Sequence, residues 1–279
     1  MKYHKASELF IDAMEAVCKP PQGVELQWWP QFTNMIGGLR PNELTLLCAP
    51  TGAGKTTLLG QLSAQLCVQN VPHFVAPVET GDQDFVVRVT SALAGVDLNN
   101  GDPVREVALA RVTNLAAGVI AKAPLYVATH DNRVSVDTMI KELTYMHQKH
   151  GIRVALLDNL NFFLDVVSAQ MEKAEMDRAI HEFVMLAKRI PIHVILIVHP
   201  RKTEGGRVEN EFDIKGSSTA VQEASNVVLF NRPKPEDVER GNRTATDREL
   251  VFRKIRKRGY NVGRPVWFSY ADARFEEQR

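Results

Sequence analysis

From residue 30 onward the chain alternates short, unbroken apolar runs with longer stretches whose apolar positions recur at three- and four-residue intervals. The runs are "LTLLCA" (44–49), "HFVAPV" (73–78), "PLYVAT" (124–129), "VALLD" (154–158), "VILIVH" (194–199) and "VVLF" (227–230). A strand with one wet face alternates apolar and polar residues, whereas a strand covered on both faces does not. Continuous runs of this length therefore predict a mostly parallel sheet between two helical layers. Stretches 55–69, 82–95, 135–149 and 172–189 carry helical spacing and supply those layers. After residue 248 the alternation with helices stops, and "RELVFRKIR" and "RPVWFSY" predict a C-terminal β-hairpin, followed by "ARF". The expected fold class is α/β, with one domain over 25–279.

Residues 1–24 are expected to form an appendage. Leu9, Phe10, Ala13, Met14 and Val17 share one face of a helix over 6–17, and "CKPPQG" then breaks it with two prolines and a glycine. Two destinations fit such a helix: its own domain, or a neighbouring subunit.

Composition narrows the function classes. With 34 Lys plus Arg against 33 Asp plus Glu, the net charge of +1 excludes a general nucleic-acid coat or a membrane-surface protein. Any site for a polyanion must be local, and the densest candidate is "RKIRKRGYNVGR" (253–264), with six basic residues and no acid. Cys18, Cys48 and Cys67 show no metal or redox spacing and read as reduced thiols. No run suits a bilayer span or a signal peptide, so a cytoplasmic, bacterial or phage-encoded protein is expected, without a membrane partner.

The first strong strand runs directly into "APTGAGKTT" (49–57) and then an apolar helix. This is the strand-loop-helix setting in which backbone N–H groups and a helix N-terminus wrap phosphates. Pro50, Thr51, Gly52, Ala53, Gly54, Lys55, Thr56 and Thr57 form the expected cradle, with Ala49 standing where the usual pattern has its first glycine. Lys55 would reach the β- and γ-phosphates of ATP or another NTP, and Thr56 would ligate Mg2+. Asp158, ending "VALLD", is the expected acid of the magnesium shell. Glu79 ends another strand and could activate the attacking water. His199 ends a third, where a phosphate sensor would stand. After it comes the long polar segment 200–218, which contains Arg201, Lys202, Arg207 and Lys215.

In order and spacing, "PTGAGKTT", "PVET" (77–80), "LLDNLNFF" (156–163), "VHPRK" (198–202), "GSSTAVQEASNVVLF" (216–230) and the basic strand resemble the DnaB-type, superfamily 4 replicative ring helicases. The likeness covers about residues 30–275 and is greatest to the Twinkle branch, itself similar to the helicase part of phage helicase-primases. It implies a RecA-like P-loop ATPase core and a hexameric ring that holds ATP between subunits and unwinds duplex DNA while moving along single-stranded DNA. It assigns His199 and Gln222 to γ-phosphate sensing, and Arg201, Lys202 and Arg207 to single-stranded DNA, with Lys215 a weaker candidate. It also implies that Lys254 and Arg256 act on the neighbour's ATP. Arg258 is the substitute if the register follows the DnaB rather than the Twinkle spacing. The chain lacks the family's N-terminal domain and primase module, so a separate primase, loader or polymerase is expected as partner. A regulatory or recombinase-like ring ATPase that binds DNA without unwinding it is the alternative.

Overall fold

The computed structural model describes residues 4–19, 22–98, 105–129, 134–164, 169–201, 207–215, 218–256 and 262–278. The apolar runs form β1 (Glu43–Cys48), β2 (His73–Pro77), β3 (Leu125–Val127), β4 (Val154–Asp158), β5 (His193–Val198) and β6 (Asn226–Asn231), all parallel. Three antiparallel strands extend the sheet: β7 (Arg248–Ile255), β8 (Pro265–Ala271) and β9 (Arg274–Glu277). The order across the sheet is β3-β2-β4-β5-β1-β6-β7-β8-β9. Every residue of β1, β2, β4, β5 and β6 is buried, which accounts for the missing alternation; the edge strand β3 is only partly covered.

One face is covered by α2 (Pro30–Ile36), α3 (Lys55–Val68) and α4 (Asp82–Ala94). Phe32, Leu59 and Phe85 there meet Leu47, Val75 and Val228 of the sheet. The other face carries α6 (Val136–His150), α7 (Ala169–Arg189) and α8 (Ser218–Glu223), with Leu143, Phe183 and Val221 over Leu46, Phe74 and Val227. Neighbouring residues of one strand thus serve opposite cores, as a two-residue side-chain period requires. The helix ends follow local chemistry. Ser135 caps α6 by accepting from the Thr138 N–H at 3.2 Å, and α6 ends at Gly151, whose φ of 65° suits a left-handed C-cap.

The 248–275 hairpin is present, and it gains β9 from "ARF" and the residues after it. This last strand is tied inward: the Gln61 amide donates to the Phe275 carbonyl at 2.8 Å and accepts its N–H at 2.6 Å, while Trp29 Nε1 donates to the same carbonyl at 2.9 Å. Glu277 accepts the N–H groups of Gln31 and Phe32, providing the acid that the first turn of α2 lacks. The helices α2, α5 (Arg105–Val119), α8 and α9 (Pro235–Glu239) were not expected from spacing. Helix α1 (Ala6–Cys18) forms where expected, and Phe10, Ile11 and Val17 on it are 61%, 67% and 71% exposed. These apolar side chains of α1 are thus left uncovered by the described residues of this chain.

Two histidines are fully buried at strand starts. His73 is paired with Ser63 Oγ and the Val71 carbonyl, and His193 with Thr45 Oγ1 and the Arg40 carbonyl. Burial pushes both imidazoles down to about 4. Below pH 6.5 an unfolded chain takes up protons that these folded sites refuse, so their stabilising contribution is complete above pH 6.5 and is withdrawn as pH falls towards 4. The expected size is on the order of 3 kcal/mol for each histidine. Asp158 acts in the opposite sense, since its carboxyl is raised to about 6 and favours the folded state as pH drops. The check is therefore a difference: urea unfolding of His193→Gln against the parent should show a flatter loss of stability between pH 6.5 and 4. Parallel profiles would contradict it.

Candidate functional site

Five strands deliver polar groups to the C-terminal edge of the parallel sheet, where ligands of open α/β sheets bind. The loop after β1 bends through Gly52 (φ 75°) and Gly54 (φ 97°) into α3. A Cβ at Gly54 would lie 3.2 Å from the Phe275 ring, so both backbone angle and space require glycine. Lys55 is buried and lies back on its own loop, with Nζ 3.5 Å from the Ala49 and Pro50 carbonyls. Thr56 Oγ1 donates to Asp158 Oδ2 at 3.3 Å and Thr80 Oγ1 donates to Thr56 Oγ1 at 3.4 Å.

Asp158 is fully buried, and its Oδ1 accepts no hydrogen bond. Burial first, and the Glu79 charge second, raise its carboxyl to about 6, against the opposing charge of Lys55. A buried carboxylate oxygen without a donor, beside a threonine hydroxyl, is a hard oxygen pair of the kind that takes a divalent cation together with phosphate oxygens.

Beside this pair, Asn159 joins Glu79 to His199. Its amide nitrogen donates to Glu79 Oε2 at 2.6 Å and stands 2.9 Å from His199 Nε2. With the amide donating, His199 Nε2 is the acceptor and the ring is neutral; burial, followed by the charge of Lys55, lowers its pKa. Glu79 Oε2 and His199 Nε2 are 3.7 Å apart. The structure therefore brings Lys55, Thr56, Asp158, Glu79 and His199 into one site. Asn159 was missed by sequence reasoning, although it directly follows Asp158; nothing in spacing marks an amide as a bridge.

Two further arginines were also missed. Arg232, just past β6, donates from Nη2 to the Gly52 carbonyl at 2.6 Å, and Arg248, at the start of β7, donates from Nε to the Ala53 carbonyl at 2.6 Å. Both hold backbone carbonyls of the loop from outside it. Next to the loop opens a cavity of about 310 Å³ lined by Thr57, Arg88, Asp97, Arg248, Tyr270 and Phe275. Arg88 Nη1 reaches Thr57 Oγ1 at 3.4 Å.

Gln222 is not in this site. Helix α8 precedes β6 and covers the face opposite α3, and Gln222 lies in a separate hollow of about 250 Å³ with Phe212, Val221 and Lys254. Lys254 Nζ donates to the Val221 and Gln222 carbonyls at 3.0 and 2.5 Å, and Arg256 Nη2 to the Gln222 and Glu223 carbonyls at 2.8 and 3.2 Å. Burial, then the Arg256 charge, bring the Lys254 ammonium down to about 8. Lys254 and Arg256 share a face, as period two predicts. Arg253 does not oppose them: the ladder between β6 and β7 shifts register at Val227/Val228, and Arg253 reaches Glu211 on the same side of the sheet at 3.2 Å. Arg258 lies outside the described residues.

In the polar segment, Arg201 is exposed, and Lys202 lies outside the described residues. Arg207, expected at DNA, is engaged within the chain. Its guanidinium binds Glu249 Oε2 at 2.5 Å, Glu209 Oε1 at 3.1 Å and the Arg232 carbonyl, and only 12% of the side chain is exposed. It anchors the segment to β7 and to the residue that holds the phosphate loop. Lys215 is likewise paired, with Glu172 at 2.5 Å.

Comparison with known proteins agrees with this geometry. The replicative DNA helicase DnaB of Treponema pallidum (strain Nichols) is 24% identical over 230 residues, which cover 80% of this chain and 49% of that protein. The chain thus spans about half the length of that curated relative. Among solved structures, one ATPase domain superposes with a TM-score of 0.82 at 14% identity, covering all of both chains. A DnaB-like replicative helicase studied with its interactions with primase gives 0.80 at 14% identity, over all of this chain and 68% of that one. The family model for the DnaB-like helicase C-terminal domain matches residues 27–277, and this chain belongs to that family.

Proposed function

We propose that the chain is the ATP-driven motor of a replicative DNA helicase, working as a hexameric ring that moves along single-stranded DNA and separates the duplex. One observation carries the ring reading. Arg248 touches the phosphate loop, while Lys254 lies six residues further along the same strand, about 20 Å away at strand rise. Neither Lys254 nor Arg256 can reach its own subunit's triphosphate, so a basic pair at that end of β7 is useful to a nucleotide only if the nucleotide belongs to a neighbour.

In this reading residues 50–57 cradle the phosphates, with Lys55 turning from its loop carbonyls to the β- and γ-phosphates. Thr56 and Asp158 hold Mg2+, which supplies charge neutralisation between the phosphates when bound. The base and sugar enter the cavity between Arg88, Arg248 and Tyr270. Glu79 accepts a proton from the attacking water, and the Asn159 amide holds that carboxylate in place. His199, linked to Glu79 through the same amide, reports the presence of the γ-phosphate. Gln222 joins the trans pair instead, offering its carbonyl to both members. Arg201 and Lys202 contact DNA phosphates, and the exposed face of α1 covers an adjacent subunit. Action on bacterial or phage DNA fits a cytoplasmic protein, with a primase, loader or polymerase as partner.

The test is strand separation on a forked duplex with ATP. Unwinding that requires hydrolysable nucleotide and a single-stranded tail is expected. DNA-stimulated hydrolysis with no strand separation, whatever the loading conditions, would favour a regulatory or recombinase-like ring instead.

A further inference from the structure

Phe212 is 67% exposed, yet it stands on a capped turn, Glu211–Asp213, held by several hydrogen bonds. The Asn210 side chain accepts the Phe212 N–H at 2.9 Å, and the Asp213 carboxylate accepts the N–H groups of Glu209 and Asn210 at 2.8 and 3.0 Å. Glu211 is tied to Arg253 of β7 at 3.2 Å, and the Arg201 N–H donates to the Asp213 carbonyl at 2.7 Å. A large aromatic side chain is thus held out in water by a turn that has already lost its freedom. The cost of ordering a contact residue has been met before any contact is made.

Beside the ring lies the hollow of about 250 Å³, bounded by Val221, Gln222, Arg253 and Lys254. We propose that Phe212 is the apolar anchor of the contact between adjacent copies of this chain, seating the Lys254 and Arg256 end of one copy on the phosphate-site edge of the next. The inference rests on the ring reading and adds to it the residue that holds the joint. Charge supports a second copy as the occupant. Lys254 and Arg256, bonded to neutral backbone carbonyls, keep their positive charge on this side, while the phosphate-site edge presents Glu79 together with Asp82 and Asp84 of the first turn of α4. These two patches sit on different faces of one chain, so they pair head to tail, the arrangement that closes into a ring. Nucleic acid is the poorer match. Glu211 stands next to Phe212 and neutralises Arg253, so a carboxylate borders the ring, and Arg201, which the proposed function gives to DNA, joins this turn through its backbone N–H. An exposed aromatic next to cations is also a common centre of protein interfaces.

Phe212→Ser, Phe212→Tyr and parent chains, each with a non-hydrolysable ATP analogue and Mg2+, are compared by mass photometry across a concentration series, with thermal melting as a control. Phe212→Ser should need at least about tenfold more chain to reach the assembled mass. Its ATP turnover should fall at low concentration and recover at high concentration, while Phe212→Tyr follows the parent and melting is unchanged. Assembly of Phe212→Ser at the parent's concentration would overturn the inference, and weakened binding of a fluorescent oligo-dT by that variant at a concentration where both it and the parent are fully assembled would reassign Phe212 to nucleic acid. A parent chain that stays monomeric throughout would instead sink the ring reading itself.

Discussion

Arg256→Ala is expected to lower ATP turnover by about 10³- to 10⁵-fold, the range typical of an arginine supplied to a phosphoryl-transfer site from outside it. Nucleotide affinity should change far less, because the charge that Arg256 meets develops mainly in the transition state. The fold should survive, since the side chain is exposed and its only described partners are the Gln222 and Glu223 carbonyls at the end of α8. The decisive measurement uses mixtures. A Lys55→Ala subunit cannot hold phosphate well, but it still carries Arg256, and an Arg256→Ala subunit still carries Lys55. If the arginine acts across the boundary, the two defective chains placed side by side restore one competent interface, and turnover rises above the sum of the separate proteins. A mixture that shows no such recovery, and no departure from simple dilution with parent subunits, would remove Arg256 from the neighbour's site.

Glu79→Gln should reduce turnover by about 10²- to 10⁴-fold, the usual contribution of a positioned general base. Binding of a fluorescent ATP analogue should be nearly unchanged, because Glu79 touches Asn159 and stands near His199 rather than the phosphate loop. The substituted amide keeps the shape and can still meet Asn159, so lost turnover with intact binding separates a catalytic role from a structural one. Asn159→Ala should weaken turnover in the same direction by freeing the carboxylate, and Asn159→Asp should do so more strongly by placing a second negative charge beside it. Retained turnover in Glu79→Gln would mean that another group handles the water proton.

The parallel part of the sheet was readable from the chain because burial on both faces writes itself into continuous apolar runs, as in "VALLD" and "VILIVH". Asp158 and His199 were readable for the same reason: each is a polar residue at the end of such a run. The phosphate loop needed only its glycines and Lys55 between strand and helix. Helices α5 and α9 were missed because α5 carries a weak apolar stripe and α9 is a single short turn started by Pro235. Arg232 and Arg248 were hidden for a different reason. Their role is to hold backbone carbonyls of Gly52 and Ala53 from strands far away in sequence, and backbone acceptors leave no trace in side-chain identity. Arg207 misled because a cation in a glycine-rich polar segment looks exposed until Glu249 is placed beside it. Gln222 was assigned by likeness to the phosphate site, whereas the direction of α8 into β6 carries it to the other face.

β7 links two places that matter to different subunits. Its first residue, Arg248, fastens the loop between β1 and α3, and in the proposed ring its far end would present Lys254 and Arg256 to the next subunit's nucleotide. β6 pairs with β7 along the strand and β8 pairs with its first half, Arg248–Val251, so that half is stiff, while the register shift beside Lys254 gives the far end a little play. In a closed ring every site would then be joined to the following one by such a tie rod. A phosphate loop that relaxes on losing its nucleotide would draw or release the cations of the adjoining site, and the subunits would be obliged to fire in succession rather than at random.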